Sequence, residues 1–373
     1  MWCAVSGMKD ESVIEADWDH VLLMLPEDLE STCAEKSALV RRREVCSAQD
    51  LLRICLGYGL CDMSLRRLAA WSCMQGLGEL SDVAVLKRLR AASDWLGHLV
   101  MQMLHKRGLT GQVGKWRVRL VDATTIQRPG SKGTDLRLHV GFDLGRQSLA
   151  TVELTDAKGG ESFKRHQFAP DEIAVADRGY ARAPGIAAAL RQGAHVLVRG
   201  HWLSLALKNA KGTKRLDTIE LMGLVAAGEV ADWPVSIEDQ GERFALRMIV
   251  MRKSESAADK ERAEIRAEAR KKGRSPDPRA LFAAGFIMVV TDLDAQALPA
   301  VQALELYRFR WQIELEFKQL KSLHHLSSIR AKDERLARTY IFAKLLGALL
   351  VEELTEAGPA FFPWGFPLLR EAC

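Results

Sequence analysis

From Ser47 to about His105, apolar residues recur at helical spacing and glycines divide the run. Ser47 predicts an N-cap for a helix reaching Cys55 or Leu56, with Gly57 and Gly59 as its stop. LRRLAAWSCMQGLG (65–78) predicts a second helix, ended by Gly76 and Gly78. Ser81 and Asp82 then supply a cap and a first-turn acid for a third helix, VAVLKRLRAASDWLGHLV (83–100). From Lys115 the pattern alternates. WRVRLVDATTI (116–126), RLHVGFDL (137–144) and SLATVELTD (148–156) read as strands separated by Gly or polar turns. EIAVADRGY (172–180) predicts a short strand ending at Asp177, PGIAAALRQG (184–193) a helix, and AHVLVRG (194–200) a further strand. WPVSI (233–237) and FALRMIVMRKS (244–254) predict paired strands, and GFIMVVTDL (285–293) another. Helices are predicted at 298–322 and about 335–356. AADKERAEIRAEARKKGR (257–274) has too few apolar positions for a core and predicts an exposed helix or mobile segment, stopped by SPDP (275–278).

Within the helix at 298–322, YRFRWQIELEFKQLK (307–321) has the spacing Y-x2-R-x3-E-x6-K. At about 100° per residue, with Tyr307 at zero, Arg310 falls near ~300°, Glu314 near ~340° and Lys321 near ~320°. Leu306, Ile313, Phe317 and Leu320 form an apolar stripe beside them. A carboxylate among cations suits a metal ion beside a phosphate, with the cations gripping neighbouring phosphates. Glu316, the rival acid, falls near ~180°, across the helix. Trp311, near ~40°, is placed to stack on a base. Trp202 and Trp233 are more often core, and His325 reads as a phosphate neighbour.

The motif resembles the YREK signature of bacterial DDE transposases of the insertion-sequence-four type. VRLVDATTI resembles the segment bearing that family's first catalytic Asp, and IAVADRGYA its D-R-G-Y segment with the second. The three blocks stand in the family's order. The resemblance implies an α/β fold, a ribonuclease-H-like catalytic core with a mainly β insertion; the helix, short Gly-containing turn and basic helix before it outline an all-α, helix-turn-helix-like N-terminal domain. It implies Asp122, Asp177 and Glu314 as catalytic ligands of two Mg2+ or Mn2+ ions. Two-metal phosphoryl transfer needs such acids to converge from separate elements. Arg310, Lys321 and Tyr307 are then expected on DNA phosphates, with Trp311 and Arg178 beside them. Lys87, Arg88 and Arg90 are expected to form a DNA-binding helix face. Asp143 and Asp171 match turns and are weaker candidates.

Charge agrees with a polyanionic partner. The 373 residues carry a net +5, but residues 1–30 hold eight acids and one base, leaving a body of 52 bases and 40 acids. Seven scattered cysteines, with no C-x-x-C pair, exclude a disulfide framework and zinc-ligand spacing and point to reduced thiols in the cytoplasm. There is no basic-then-apolar signal pattern. IFAKLLGALLV (341–351) is short and interrupted by Lys344, so it predicts a buried helix.

The expected organisation is a helical DNA-binding region at 1–110, core at 111–200, insertion at 201–284, core at 285–356 and a short tail at 357–373. Relatives usually continue into further helical sequence, so truncation is an expectation for the tail. The expected activity is cleavage at insertion-sequence ends and strand transfer into target DNA, by a homodimer bound to paired terminal repeats. A truncated remnant acting as a repressor, or a metal-dependent nuclease, are the alternatives.

Overall fold

In the computed structural model the described residues are 11–107, 116–131, 133–146, 148–311, 313, 314, 318, 329 and 331–357. Their helices are α1 (Glu11–Met24), α2 (Leu29–Glu35), α3 (Ala48–Leu60), α4 (Leu65–Met74), α5 (Asp82–Arg107), α6 (Ala183–Arg191), α7 (Thr218–Gly223), α8 (Glu255–Lys271), α9 (Pro278–Ala283), α10 (Ala300–Arg308) and α11 (Glu334–Ala357). Their strands are β1 (Arg117–Ile126), β2 (Leu136–Asp143), β3 (Ser148–Asp156), β4 (Glu172–Ala176), β5 (His195–Arg199), β6 (Lys208–Asn209), β7 (Val230–Asp239), β8 (Glu242–Arg252) and β9 (Phe286–Thr291). The chain divides into two compact units, one of residues 1–107, 126–133 and 319–373, the other of 108–125 and 134–318.

The first unit is helical. Ser47 caps α3 through a capping box with Asp50, as its sequence predicts. Gly57 and Gly59 do not end the helix; they lie buried inside it. The reason is packing. α3 and α5 both lie on α11, and a Cβ at Gly59 would stand only 2.5 Å from the Ala343 Cβ. Here Gly is selected by helix approach rather than by chain reversal. Gly59→Val is expected to overpack this contact and destabilise the protein by about 1–3 kcal/mol, read from its urea midpoint. Lys344, on the apolar face of α11, is buried. Its Nζ lies 3.4 Å from Asp62 Oδ1 and over the Tyr340 ring, so the charge that interrupts the apolar run is paired. Among the described residues, no helix is long and apolar enough to cross a membrane.

The basic face of α5 is partly consumed by the fold. Arg90 pairs with Asp333 at 2.8 Å, and Arg88 donates to the Arg41 carbonyl at 2.6 Å. Lys87 is exposed. The connection from α4 to α5 runs through residues 75–81, longer than the three- to four-residue turn of a helix-turn-helix.

The second unit is built on a nine-stranded mixed sheet in the order β3-β2-β1-β4-β5-β9-β8-β7-β6. β1, β4 and β5 are parallel neighbours. β4, buried along its whole length, needs no polar alternation because both of its faces are covered. β9 joins antiparallel to both β5 and β8. The paired strands predicted at 233–254 therefore extend the same sheet. β7 and β8 meet at Gln240–Gly241, both with positive φ (54° and 80°), the conformation of a tight two-residue hairpin. The charged segment 257–274 lies largely in α8, and Ser254 caps that helix.

Candidate active site

Val121 of β1 pairs with Ala176 of β4 in parallel register. The next residues are Asp122 and Asp177, so the two carboxylates arise side by side from adjacent strands. Asp122 lies inside β1, with its side chain 16% exposed. Asp177 lies just beyond β4 and caps the turn Arg178–Tyr180, its Oδ1 accepting from Gly179 N at 2.8 Å. The Asp122 carboxyl is pushed up to about 7. Burial is the largest cause, and the Asp177 charge adds to it, against the Ala123 N–H and Arg310. The neighbouring Asp177 charge thus makes ionisation of Asp122 costly unless a cation joins them.

A buried ion pair braces the start of these strands. Arg119 Nε lies 2.5 Å from Glu172 Oε1, and Nη2 donates to Oε2 at 3.1 Å. Burial lowers the Arg119 pKa and raises that of Glu172, each opposed by its partner.

α10 is shorter than its sequence predicts. It ends at Arg308, and 309–310 form a turn in which Phe309 N and Arg310 N bond to the carbonyls three residues back. Tightened i→i+3 bonds alter the 100° progression, so the stripe inferred from Tyr307 does not run unbroken. Residues 311, 313 and 314 are helical again, with Ile313 buried as expected. Arg310 Nη2 donates to Glu314 Oε1 at 2.5 Å, while Nη1 stands 3.7 Å from Asp122 Oδ2. Arg310 thus lies between the first Asp and the Glu. The Glu314 side chain is 54% exposed. The Tyr307 hydroxyl is buried near Arg310, Arg199 and Asp177, and burial raises its pKa. Trp311 is exposed. Lys321, Glu316, Phe317, Leu320 and His325 lie outside the described residues.

Arg178 is exposed, but its Nη1 reaches Glu261 of α8 at 3.6 Å. Glu261 also pairs with Arg199 at 3.4 Å and with Lys253. Burial opposes its ionisation, yet Lys253, Arg199 and Arg178 together hold it below the ordinary carboxylate range. α8 therefore contributes an anionic anchor for two arginines near the acids, which nothing in its own solvated pattern announces. The weaker candidates act locally. Asp143 Oδ1 accepts from Gly145 N and Arg146 N, and Asp171 occupies a turn with φ 60°. Trp202 lies under the Arg279 guanidinium.

An all-oxygen donor set on short, strand-borne side chains suits hard divalent cations. Among the described residues, no three Asp, Glu, His or Cys side chains stand close enough to hold an ion as they are. Arg310, set between Asp122 and Glu314, accounts for part of that separation. The Asp122 and Asp177 carboxylates, arising side by side, are of the kind a hard divalent cation takes.

Residues 114–350 match the family described as "Transposase DDE domain". The chain is 38% identical over 356 residues to the putative transposase InsL for insertion sequence element IS186A of Escherichia coli (strain K12), covering 93% of this chain and 96% of that one. It is equally similar, 38% over 357 residues with the same coverage, to the transposase for insertion sequence element IS421 of Escherichia coli. The transposase for insertion sequence element IS231F of Bacillus thuringiensis subsp. israelensis is 22% identical over 366 residues, covering 87% of this chain and 76% of that one. A solved piggyBac transposase synaptic complex with hairpin DNA aligns with a TM-score of 0.44 at 10% identity, over 90% of this chain and 72% of that one. The chain belongs to the DDE-domain transposases, polynucleotidyl transferases that depend on divalent metal ions. Its function is DNA transposition.

Proposed function

We propose that this transposase is of the insertion-sequence-four type, with Tyr307, Arg310, Glu314 and Lys321 as its YREK residues and a ribonuclease-H-like core. On this reading it acts in the cytoplasm, cutting DNA at the ends of its own insertion sequence and joining them to a target. Asp122, Asp177 and Glu314 hold two Mg2+ or Mn2+ ions. The observation that carries the reading is the parallel register of Val121 with Ala176, from which two half-buried carboxylates emerge together. When bound, the ions activate the attacking oxygen and stabilise the leaving one.

The chain's residues supply the rest. Asp122, whose carboxyl is pushed up to about 7, would be ionised in holding a cation. Arg310 exchanges its carboxylates for a backbone phosphate, which its planar fork matches equally well. Tyr307 donates a hydrogen bond to a neighbouring phosphate oxygen, and Arg178 and Arg199 add positive charge beside Asp177. Trp311 offers an exposed ring to a base. One phosphodiester is exchanged for another, so no ATP is required, and a homodimer holding two terminal repeats is the working form.

Incubating the protein and Mg2+ with a plasmid carrying the gene and its flanking DNA tests this. Joined donor–target products are expected; cleavage without joining would make the protein a nuclease. Non-catalytic DNA contact is assigned to Lys87, because Arg88 and Arg90 are already engaged. Lys87→Ala is expected to weaken binding to all DNA sequences alike and to reduce the salt slope by about one, measured by fluorescence anisotropy.

A further inference from the structure

We propose that Glu161 is a fourth carboxylate of the cation pocket, facing Asp177 across Gly179 and reaching the bound ion through its water shell. The proposal rests on the reading that Asp122 and Asp177 hold divalent cations.

Glu161 belongs to the loop between β3 and β4, where its sequence context, GGESF (159–163), gives no sign of a site. The fold fixes it firmly. Phe163, two residues on, is fully buried against the Tyr180 ring, with centroids 5.2 Å apart. Ser162 between them caps the short turn Phe163–Arg165. The loop is thereby docked onto the turn that follows Asp177. A Cβ at Gly179 would overlap Glu161 Oε2 and would stand 3.1 Å from Asp177 Oδ1. Both carboxylates therefore crowd the same side of Gly179, and only the missing side chain at that position lets them do so.

Like charges brought together repel unless a cation lies between them. Among the described residues, no ion pair forms with Glu161, while Arg137 and Arg182 act on it only at longer range. Burial, and then Asp177, raise its pKa. A second observation points to the same ligand. Tyr180 is 1% exposed and, among the described residues, its hydroxyl has no hydrogen-bond partner. The carboxylates that act on that hydroxyl are Asp122, Glu161 and Asp177, in that order, with Arg137 opposing them. A buried phenol donor without a partner is anomalous in a folded protein. A hydrated divalent cation would remove both anomalies, screening the carboxylates and offering a water oxygen to Tyr180. Mg2+ keeps several of its waters when bound. A carboxylate beside the ion, as Glu161 would be, can thus accept from one of those waters. Glu161 is on this account a positioning residue for the Asp177 ion.

The test is Mn2+ binding to the full chain without DNA, followed by the electron paramagnetic resonance signal of the free ion. Glu161→Gln keeps shape and removes charge, and is expected to weaken Mn2+ binding about tenfold. Glu161→Asp keeps the charge but withdraws it by one methylene, and should fall between Gln and wild type. The Mg2+ concentration for half-maximal cleavage should rise in parallel, more than the rate at saturation falls. A purely structural role would shift the unfolding midpoint and leave Mn2+ affinity unchanged in the folded protein. If Glu161→Gln and Glu161→Asp bind Mn2+ as wild type does while Asp177→Asn loses it, Glu161 is excluded and the Asp177 site stands. If Asp177→Asn also binds normally, the underlying site assignment fails, and this proposal with it.

Discussion

Asp122→Asn is expected to abolish DNA cleavage while making the metal-free protein more stable at pH 8. Burial and the neighbouring Asp177 push the Asp122 carboxyl up to about 7, against ~3.9 for a free Asp. The folded state therefore holds this proton more tightly than the unfolded state does. The contribution to stability is fully present below the unfolded value. It is lost as pH rises through about 7, after which the ionised, poorly solvated carboxylate opposes folding. Removing the charge removes an opposition on the order of 3–4 kcal/mol at most, since the side chain is not wholly buried. Thermal melts with a chelator should show Asp122→Asn above wild type at pH 8 and equal to it near pH 4. Saturating Mg2+ should reverse the order at pH 8, because the wild type gains binding energy that the variant cannot.

Glu172→Ala should have the largest destabilising effect. It would strand Arg119, 5% exposed, without its anion, and would remove the acceptor for Ala169 N. Breaking one side of a buried pair costs about 3–5 kcal/mol, most of it from the uncompensated charge. Replacing both partners, as Arg119→Met with Glu172→Met, leaves no stranded charge and should cost clearly less than Glu172→Ala alone. Urea denaturation of the two single variants and the double variant measures this coupling. Because the pair braces β1 against β4 just before Asp122 and Asp177, activity should decline with stability in the single variants and return partly in the double.

Much of the second unit was legible in the sequence because its strands alternate or run wholly apolar, and because Asp122 and Asp177 each follow such a run. The hairpin of β7 and β8 was legible for the same reason. Its continuity with the core sheet was not, since strand neighbours depend on long-range pairing that periodicity cannot express. Gly57 and Gly59 read as helix stops because local chemistry makes Gly a breaker, whereas their role is set by Ala343 and Trp71, distant in sequence. The break at 309–310 carries no Pro or Gly to announce it. Arg88 and Arg90 read as a free basic face because Arg41 and Asp333, which occupy them, lie 47 and 243 residues away. Glu161 escaped notice for a related reason: its meaning comes from Gly179, with which it shares no motif.

Asp122, Asp177 and Glu314 are proposed to form one catalytic centre although Arg310 stands between the first and the last. Cleavage of the plasmid-borne flanking DNA by Asp122→Ala, Asp177→Ala and Glu314→Ala, each checked for retained DNA binding, tests it most directly. All three are expected to bind DNA and leave it uncut in Mg2+ and in Mn2+. Cleavage by Glu314→Ala at the wild-type rate would contradict the claim and leave Glu314 as no more than the partner of Arg310.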